Sequence, residues 1–149
     1  MDQQIPGVKA LDPDGGKLFL RANEMRVKIS STESGGAYEI CEERCPPGFA
    51  SRHHSHNHDF ESFIVIEGSA KFLVGDDVID AKPGMVIHIP PGVPHKVSTE
   101  EGIRMYLIFG PGSQEPRFED MKNMTPEQKA DPEYDRALAA RYEMTFYED

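Results

Sequence analysis

Residues 48–68, GFASRHHSHNHDFESFIVIEG, carry the strongest indication of the fold. Its histidines at positions 54 and 56 are two residues apart, so both imidazoles point to the same side of an extended segment. Glu61 lies at an odd offset from them, and an unbroken strand would turn it to the opposite side. Asn57-His58-Asp59 is a reasonable place for a bend or bulge that corrects this. We therefore expect His54, His56 and Glu61 to converge.

A second stretch, GMVIHIPPGVPHKVST at residues 84–99, supplies one more histidine from a distant part of the chain. His95 follows a turn rich in proline and glycine that can aim it back at the first three side chains. Three neutral imidazoles and one carboxylate suit Fe²⁺, Ni²⁺, Mn²⁺, Co²⁺, Cu²⁺ or Zn²⁺. They leave open positions for water, substrate or O₂ on a metal that prefers six ligands. The set predicts one divalent transition metal as cofactor, with His54, His56, Glu61 and His95 as its ligands.

The rest of the first 110 residues reads as short strands separated by turns. Most of the chain's twelve prolines and thirteen glycines lie here between runs of β-forming residues, which is typical of a β-sandwich or barrel. The runs lie at 27–29, 37–40, 60–66, 71–74, 78–79, 85–89 and 104–109.

The composition shifts after Gly110-Pro111-Gly112. Residues 132–143 begin with a proline, which suits the first turn of a helix, and continue with good helix formers. Within them Tyr134, Leu138 and Tyr142 are spaced four residues apart and would form one apolar stripe on a helix. We expect a helical extension over about 116–149 that packs on the barrel, and a single domain over residues 1–149.

Both quoted stretches resemble the two signatures of the cupin family, G-x5-H-x-H-x4-E-x6-G and G-x5-P-x-G-x2-H-x3-N. Every fixed position matches except the last, where Thr99 replaces the usual Asn, which is not a metal ligand in the family. The resemblance implies an all-β fold, a small jelly-roll barrel (double-stranded β-helix) with a C-terminal helical segment. It also implies that the four side chains named above hold the metal.

A further resemblance, to small quercetin 2,3-dioxygenase-like cupins, rests on residues 110–119 and on the tail at 135–146. It implies a dioxygenase that cleaves an enol, a flavonol or a related small organic substrate with O₂. Glu61 would then be catalytic, as a ligand and as the base that accepts the enol proton. Two alternatives stay open. One is an O₂-independent decarboxylase, lyase or isomerase of a small acid or polyketide intermediate, and the other is a non-catalytic small-ligand-binding module.

Several chemistry-bearing residues fall outside the motifs. His53 and His58 are expected to be exposed neighbours, and His88 a strand residue with its own hydrogen bond. Cys41 and Cys45 in one strand would be separated by about 13 Å, too far for a disulfide, so we expect both to be reduced and partly buried.

The composition of the chain argues against two classes of partner, nucleic acids and membranes. A formal net charge of −10 repels phosphate backbones and disfavours a nucleic-acid partner. No apolar run is long enough to span a bilayer, and Met1-Asp2-Gln3-Gln4 does not resemble a secretory signal, so a cytoplasmic location and no membrane partner are expected. Residues 63–66 and 105–109 are apolar on both faces of their strands. Either the C-terminal segments or a second subunit must cover them, and we expect a homodimer.

Overall fold

The structure, a computed structural model, describes residues 5–148; Asp149 and the first four residues, where no secretory signal is predicted, lie outside it. Two antiparallel sheets account for all the strands in this range. The six-stranded sheet has the order β1-β2-β3-β10-β5-β8 and the five-stranded sheet the order β11-β4-β9-β6-β7. The strands are β1 Lys17–Leu20, β2 Glu24–Ile29, β3 Glu39–Cys45, β4 His54–His56, β5 Phe60–Gly68, β6 Ala70–Val74, β7 Asp77–Ala81, β8 Val86–Ile89, β9 His95–Ser98, β10 Ile103–Gly110 and β11 Met144–Phe146.

The core lies between the two sheets. Phe63 of β5 and Phe72 of β6 meet edge to face at a centroid distance of 4.9 Å, and both are buried. Along β5 and β10 the buried side chains alternate with half-buried ones, because successive residues of a strand point to opposite faces. The all-β prediction is confirmed, and each run of β-forming residues named above contributes to a strand.

The outer face of the six-stranded sheet keeps an apolar row. Ile64, Ile66, Tyr106 and Ile108 alternate with the core residues of β5 and β10 and are only half-buried. The C-terminal helices do not bury them. The C-terminal segments, as far as Glu148, therefore leave this face partly exposed.

A glycine of the first motif marks a tight approach between loops. Gly68 has φ of +79°, and a Cβ at this position would lie 2.1 Å from the carbonyl oxygen of Gly102. Any side chain would clash with backbone as well as strain the dihedral angle. The motif needs glycine here because the chain turns between β5 and β6 directly against the loop before β10.

The C-terminal segment folds back over one end of the barrel. It contains α1 Glu115–Lys122, α2 Pro126–Ala130, α3 Pro132–Arg141 and then β11. None of the helices within residues 5–148 is long and apolar enough to cross a membrane. The helix expected at 132–143 is present but ends at Arg141, with Leu138 of its apolar stripe buried.

The prediction of a helical extension through residue 149 is wrong at its end. Met144–Phe146 form a strand that pairs with β4, Met144 lying opposite His56 and Phe146 opposite His54. Met144 is buried. This segment is too short to show a helical or strand periodicity of apolar residues, so strand pairing and burial together decide its conformation.

The cysteine prediction is confirmed in its main part. Cys41 and Cys45 lie on the same face of β3 and are free. Both are buried more deeply than expected, at 0% and 4% exposure. Burial raises the pKa of both thiols.

Candidate metal centre

Four side chains from three strands meet at one point inside the barrel. His54 and His56 come from β4, Glu61 from the start of β5 and His95 from the start of β9. Each offers one ligand atom, and these four atoms lie within 4.8 Å of one another. The structure thus brings together all four of the residues that the sequence singles out as metal ligands.

The bend expected between the histidines and Glu61 is a crossing from one sheet to the other. β4 belongs to the five-stranded sheet and β5 to the six-stranded sheet, so residues 57–59 form a corner. The Asn57 N–H donates to the carbonyl of Glu143 (2.7 Å), and the Asp59 carboxylate accepts from the N–H of Gly112 (2.8 Å). These bonds hold the corner in the conformation that returns Glu61 to the side of the histidines.

The turn before β9 places His95 beside β4. Its Gly92 N–H donates to the carbonyl of His56 (2.7 Å), and His95 pairs directly with His54 across the strands. The two imidazole centroids are 4.4 Å apart. The proline-glycine turn therefore aims His95 as predicted.

The hydrogen bonds of the rings decide which nitrogen faces the centre. Nδ1 of His54 lies 2.6 Å from the carbonyl of Arg52, and Nδ1 of His95 lies 3.0 Å from the carbonyl of Val93. Because carbonyl oxygens only accept, each Nδ1 carries the hydrogen of a neutral ring and each Nε2 presents a lone pair.

The arrangement around Glu61 fits a cation. Nε2 of His95 lies 3.0 Å and Nε2 of His56 lies 3.4 Å from Oε1 of Glu61. The lone pair of a neutral His95 would here face a carboxylate oxygen, which also accepts, so a positive charge, a proton or a metal ion, is needed between them. A divalent metal ion supplies that charge, and nitrogen and oxygen donors suit a transition metal.

The environment favours neutral imidazoles on two of the three rings. Burial, together with the neighbouring His95, lowers the pKa of His54 to about 3. Burial and the adjacent His54 also lower the pKa of His56. For His95, burial alone would lower the pKa, but the contact with Glu61 outweighs it and the pKa is raised. Neutral imidazole is the form that binds metal.

A cavity of about 270 Å³ opens above these four residues. Its apolar wall includes Phe63, Leu107 and Phe109 from the core face of the six-stranded sheet. Pockets that bind drug-sized ligands usually have volumes of about 300–1,000 Å³. The volume therefore suits a compact small molecule.

A carboxyl group outside both sequence motifs lines the same cavity. Glu43 of β3 is 8% exposed and accepts a hydrogen bond from the Asn23 side chain. Burial, and next the charge of Glu61, raise the pKa of Glu43 to about 7. The signal available in the sequence was its alternation with Cys41 and Cys45, since every second residue of one strand faces the core.

Arginines line the cavity as well. Arg117 of α1 is 9% exposed, and Arg21 and Arg52 lie on loops, yet all three contribute to the lining. Phe118 packs on Phe19 of β1 at a centroid distance of 5.5 Å, which fixes α1 over the barrel. No local pattern in the sequence connects residue 117 with the histidine motif.

The three histidines outside the metal-ligand set, and Thr99 of the second motif, each contact nearby residues. His88 is exposed and bonds Ser62 (2.7 Å), as expected, and His58 is exposed beside Asp59. His53 is half-buried against Tyr147 rather than exposed, because the C-terminal residues cover it. Thr99, in place of the usual Asn, donates to the carbonyl of Ser69 (2.7 Å) and accepts from the N–H of Gly102 (2.8 Å).

Solved structures of other proteins share this fold. The polyketide cyclase RemF from Streptomyces resistomycificus has a TM-score of 0.62 at 20% identity, over 86% of this chain and 96% of that one. Ectoine synthase from P. lautus has a TM-score of 0.60 at 18% identity, over 66% and 71%. A predicted oxalate decarboxylase from Thermotoga maritima has a TM-score of 0.56 at 19% identity, over 58% and 78%.

Sequence comparison covers the barrel strands and the site. No curated protein matches this chain significantly. Residues 41–109, which include all four converging side chains, match the family model of the cupin domain. This match identifies residues 41–109, which hold the site, as a cupin domain.

Proposed function

We propose that this cupin is a metal-dependent enzyme that acts on a small enol or an enolisable carbonyl compound. The observation that carries the proposal is the cavity itself. Its floor is the set His54, His56, Glu61 and His95, and its wall holds a second, separately positioned carboxyl group, Glu43.

The four floor residues would hold one divalent ion of Fe, Ni, Mn, Co, Cu or Zn. When bound, such an ion supplies a Lewis acid that polarises a carbonyl oxygen and lowers the pKa of an enol. The apolar wall excludes water from the same space, which strengthens the electrostatic interactions inside it. The small volume favours a substrate more compact than a flavonol.

Glu43 is the residue best placed to move a proton. Its side chain lies in the cavity and is held by Asn23, while its raised pKa of about 7 lets it both accept and return a proton near neutral pH. One Oε would take the proton from the substrate and deliver it at another position. Glu61, the base expected from the sequence, has its oxygen Oε1 directed at two imidazoles.

We therefore rank proton-transfer chemistry that needs no O₂ first: a lyase, cyclase, isomerase or decarboxylase reaction. The names of the similar solved structures (cyclase, ectoine synthase and predicted oxalate decarboxylase) belong to these classes. Their low identity gives the fold alone, so the ranking rests on Glu43 and the cavity.

Dioxygenase activity is the second candidate function. The observation that favours it is the donor set, because four protein ligands leave positions for a substrate oxygen and O₂ on a six-coordinate metal. In that reaction Glu61 would accept the enol proton. Glu61→Gln keeps an oxygen donor but removes the charge, so it would retain some metal and lose most turnover.

The test is a substrate screen with and without oxygen. Purified protein is loaded in turn with each of the six metals and offered small enols, β-diketones and keto acids. Product formation is followed anaerobically, and O₂ uptake is followed in air. We expect anaerobic turnover that is lost in His95→Ala and falls by about 10²–10⁴-fold in Glu43→Gln.

The other outcomes identify the alternatives. Turnover that consumes O₂ and stops without it would make the dioxygenase reading correct. Ligand-induced increases in melting temperature without turnover under either condition would indicate a binding module.

A further inference from the structure

Arg117 is a buried cation that makes no direct contact with a carboxylate among the described residues. Its guanidinium donates through Nε to Gln114 (3.2 Å) and through Nη1 to the sulfur of Met121 (3.0 Å). Among residues 5–148, no carboxylate lies within 4.0 Å of it. A charge removed from water in this way is costly unless something of opposite sign approaches it.

A second arginine makes this environment more positive. Burial first, and then the charge of Arg21, lower the pKa of Arg117 to about 10. Arg21 lines the same cavity and likewise has no carboxylate within 4.0 Å among the described residues. Two like charges are thus held near each other in a chain whose formal net charge is −10.

Arg52 shows the contrast within the same cavity. Its guanidinium is paired with the Asp135 carboxylate and stacks over the Phe146 ring at 3.7 Å from the centroid. Arg52 therefore has a carboxylate in direct contact, whereas Glu61 and Asp135 act on Arg117 only from a distance.

The position of Arg117 relates it to the metal centre. It lines the cavity whose floor is formed by the three histidines and Glu61. The charge of Arg117 contributes to the lowered pKa of His54 and His56, and that of Glu61 acts on Arg117. A small ligand that touches the floor can therefore also reach the guanidinium.

We propose that Arg117 is an anion anchor, which binds a carboxylate of the substrate while another oxygen of the same molecule lies at the metal floor. The substrate class is then a small organic acid that also carries an enol, phenol or carbonyl oxygen. A planar guanidinium matches a carboxylate with two parallel hydrogen bonds. This inference rests on the proposed function and specifies its substrate.

The test compares binding of matched ligands by calorimetry on the zinc-loaded protein, in which the metal is redox-inert. Catechol offers two adjacent oxygens to the floor, and 2,3- and 3,4-dihydroxybenzoate add a carboxylate at two different distances. We expect at least one of the acids to bind about tenfold more tightly than catechol, as one charge-assisted hydrogen-bond pair provides.

Variants assign the preference to Arg117. Arg117→Met keeps the length of the side chain without its charge and should abolish the preference for the acid. Arg117→Lys should keep part of it. Arg44→Met, at an exposed position of β3, is the matched control and should keep all of it. Zinc content and melting temperature are measured for every variant.

Equal affinities for catechol and both acids in the wild-type protein would overturn the anchor. The anchor would also be overturned if folded, zinc-loaded Arg117→Met kept the full preference for the acid, or if none of the three compounds bound to the wild-type protein. A carboxylate preference that depends on Arg117, in a protein without turnover, would support the anchor and contradict only the proposed enzymatic function.

Discussion

The histidines of the metal centre differ from their sequence neighbours in where their nitrogens point. Nδ1 of His54 and of His95 is held by a backbone carbonyl, which leaves Nε2 of each ring to face the centre. His58, only two residues beyond His56, is exposed and bonds Asp59. At this scale, orientation separates a ligand from a bystander.

The first prediction concerns metal content. His54→Ala, His56→Ala and His95→Ala should each lose most of about one equivalent of transition metal, since each removes a donor from a single closed set. Elemental analysis after purification without an affinity tag measures this. His53→Ala and His58→Ala are the controls and should retain the metal. Normal content in His95→Ala would contradict the ligand assignment.

The second prediction concerns Glu43 and pH. The pKa of about 7 in the folded protein exceeds the ordinary value of 4.5, so between these values the folded chain holds a proton that the unfolded chain releases. This contribution to stability is fully present below pH 4.5 and is lost as pH rises through 7. Glu43→Gln removes the effect.

The melting temperature of Glu43→Gln relative to wild type should therefore be higher at pH 8 than at pH 5. Chelator-treated protein is used, because a bound cation would offset the charge of Glu61. Glu67→Gln, at an exposed carboxylate, is the control. An identical difference at the two pH values would show that Glu43 ionises as an ordinary exposed carboxyl does.

At the scale of elements, the strand that carries two of the ligands depends on the C-terminus. β4 has three residues and lies between β9 and β11. The corner after it is held by the carbonyl of Glu143. A strand this short has few hydrogen bonds of its own, so its neighbours on both sides position His54 and His56.

The third prediction follows from this dependence. Met144 is buried and lies opposite His56, so Met144→Ala should reduce the free energy of unfolding by about 2–4 kcal/mol. It should also weaken metal binding in a competition with a chelator. Thr145→Ala removes an exposed side chain of the same strand and its hydrogen bond from Asn57 (2.9 Å) but no buried volume, so it should do neither to the same extent. Unchanged chelator competition in Met144→Ala would show that β4 is positioned without β11.

At the scale of the whole molecule, the outer face of the six-stranded sheet is an apolar surface that the described residues leave partly exposed. Ile64, Ile66, Tyr106 and Ile108 lie there on adjacent central strands. A contiguous apolar surface of this kind is typical of an interface. We propose that a second copy of the chain covers it, as the sequence pattern predicts.

The fourth prediction is the resulting mass. Light scattering at micromolar concentration should give about twice the 16.7 kDa of one chain, and the double variant Ile64→Glu, Ile108→Glu should give one chain mass while remaining folded. Val78→Glu, on the exposed side of β7, is the control. A monomeric wild-type protein at that concentration would refute the dimer.

The barrel and its four converging side chains are predictable from the sequence motifs alone. The spacings from Gly48 to Gly68 and from Gly84 to His95 specify turns and strand faces, and both are local properties of the backbone. Gly68 is one such case, because only glycine tolerates its dihedral angle and the approach of Gly102. The bend at residues 57–59 was predictable for the same reason.

The tertiary structure alone decided what surrounds the centre. Glu43 and Arg117 line one cavity only because the six-stranded sheet and α1 bring together segments far apart in the chain. Met144–Phe146 are a strand rather than helix because β4 offers them hydrogen-bond partners. These features arise from long-range pairing and packing, and a residue's immediate neighbours in the sequence carry no record of either.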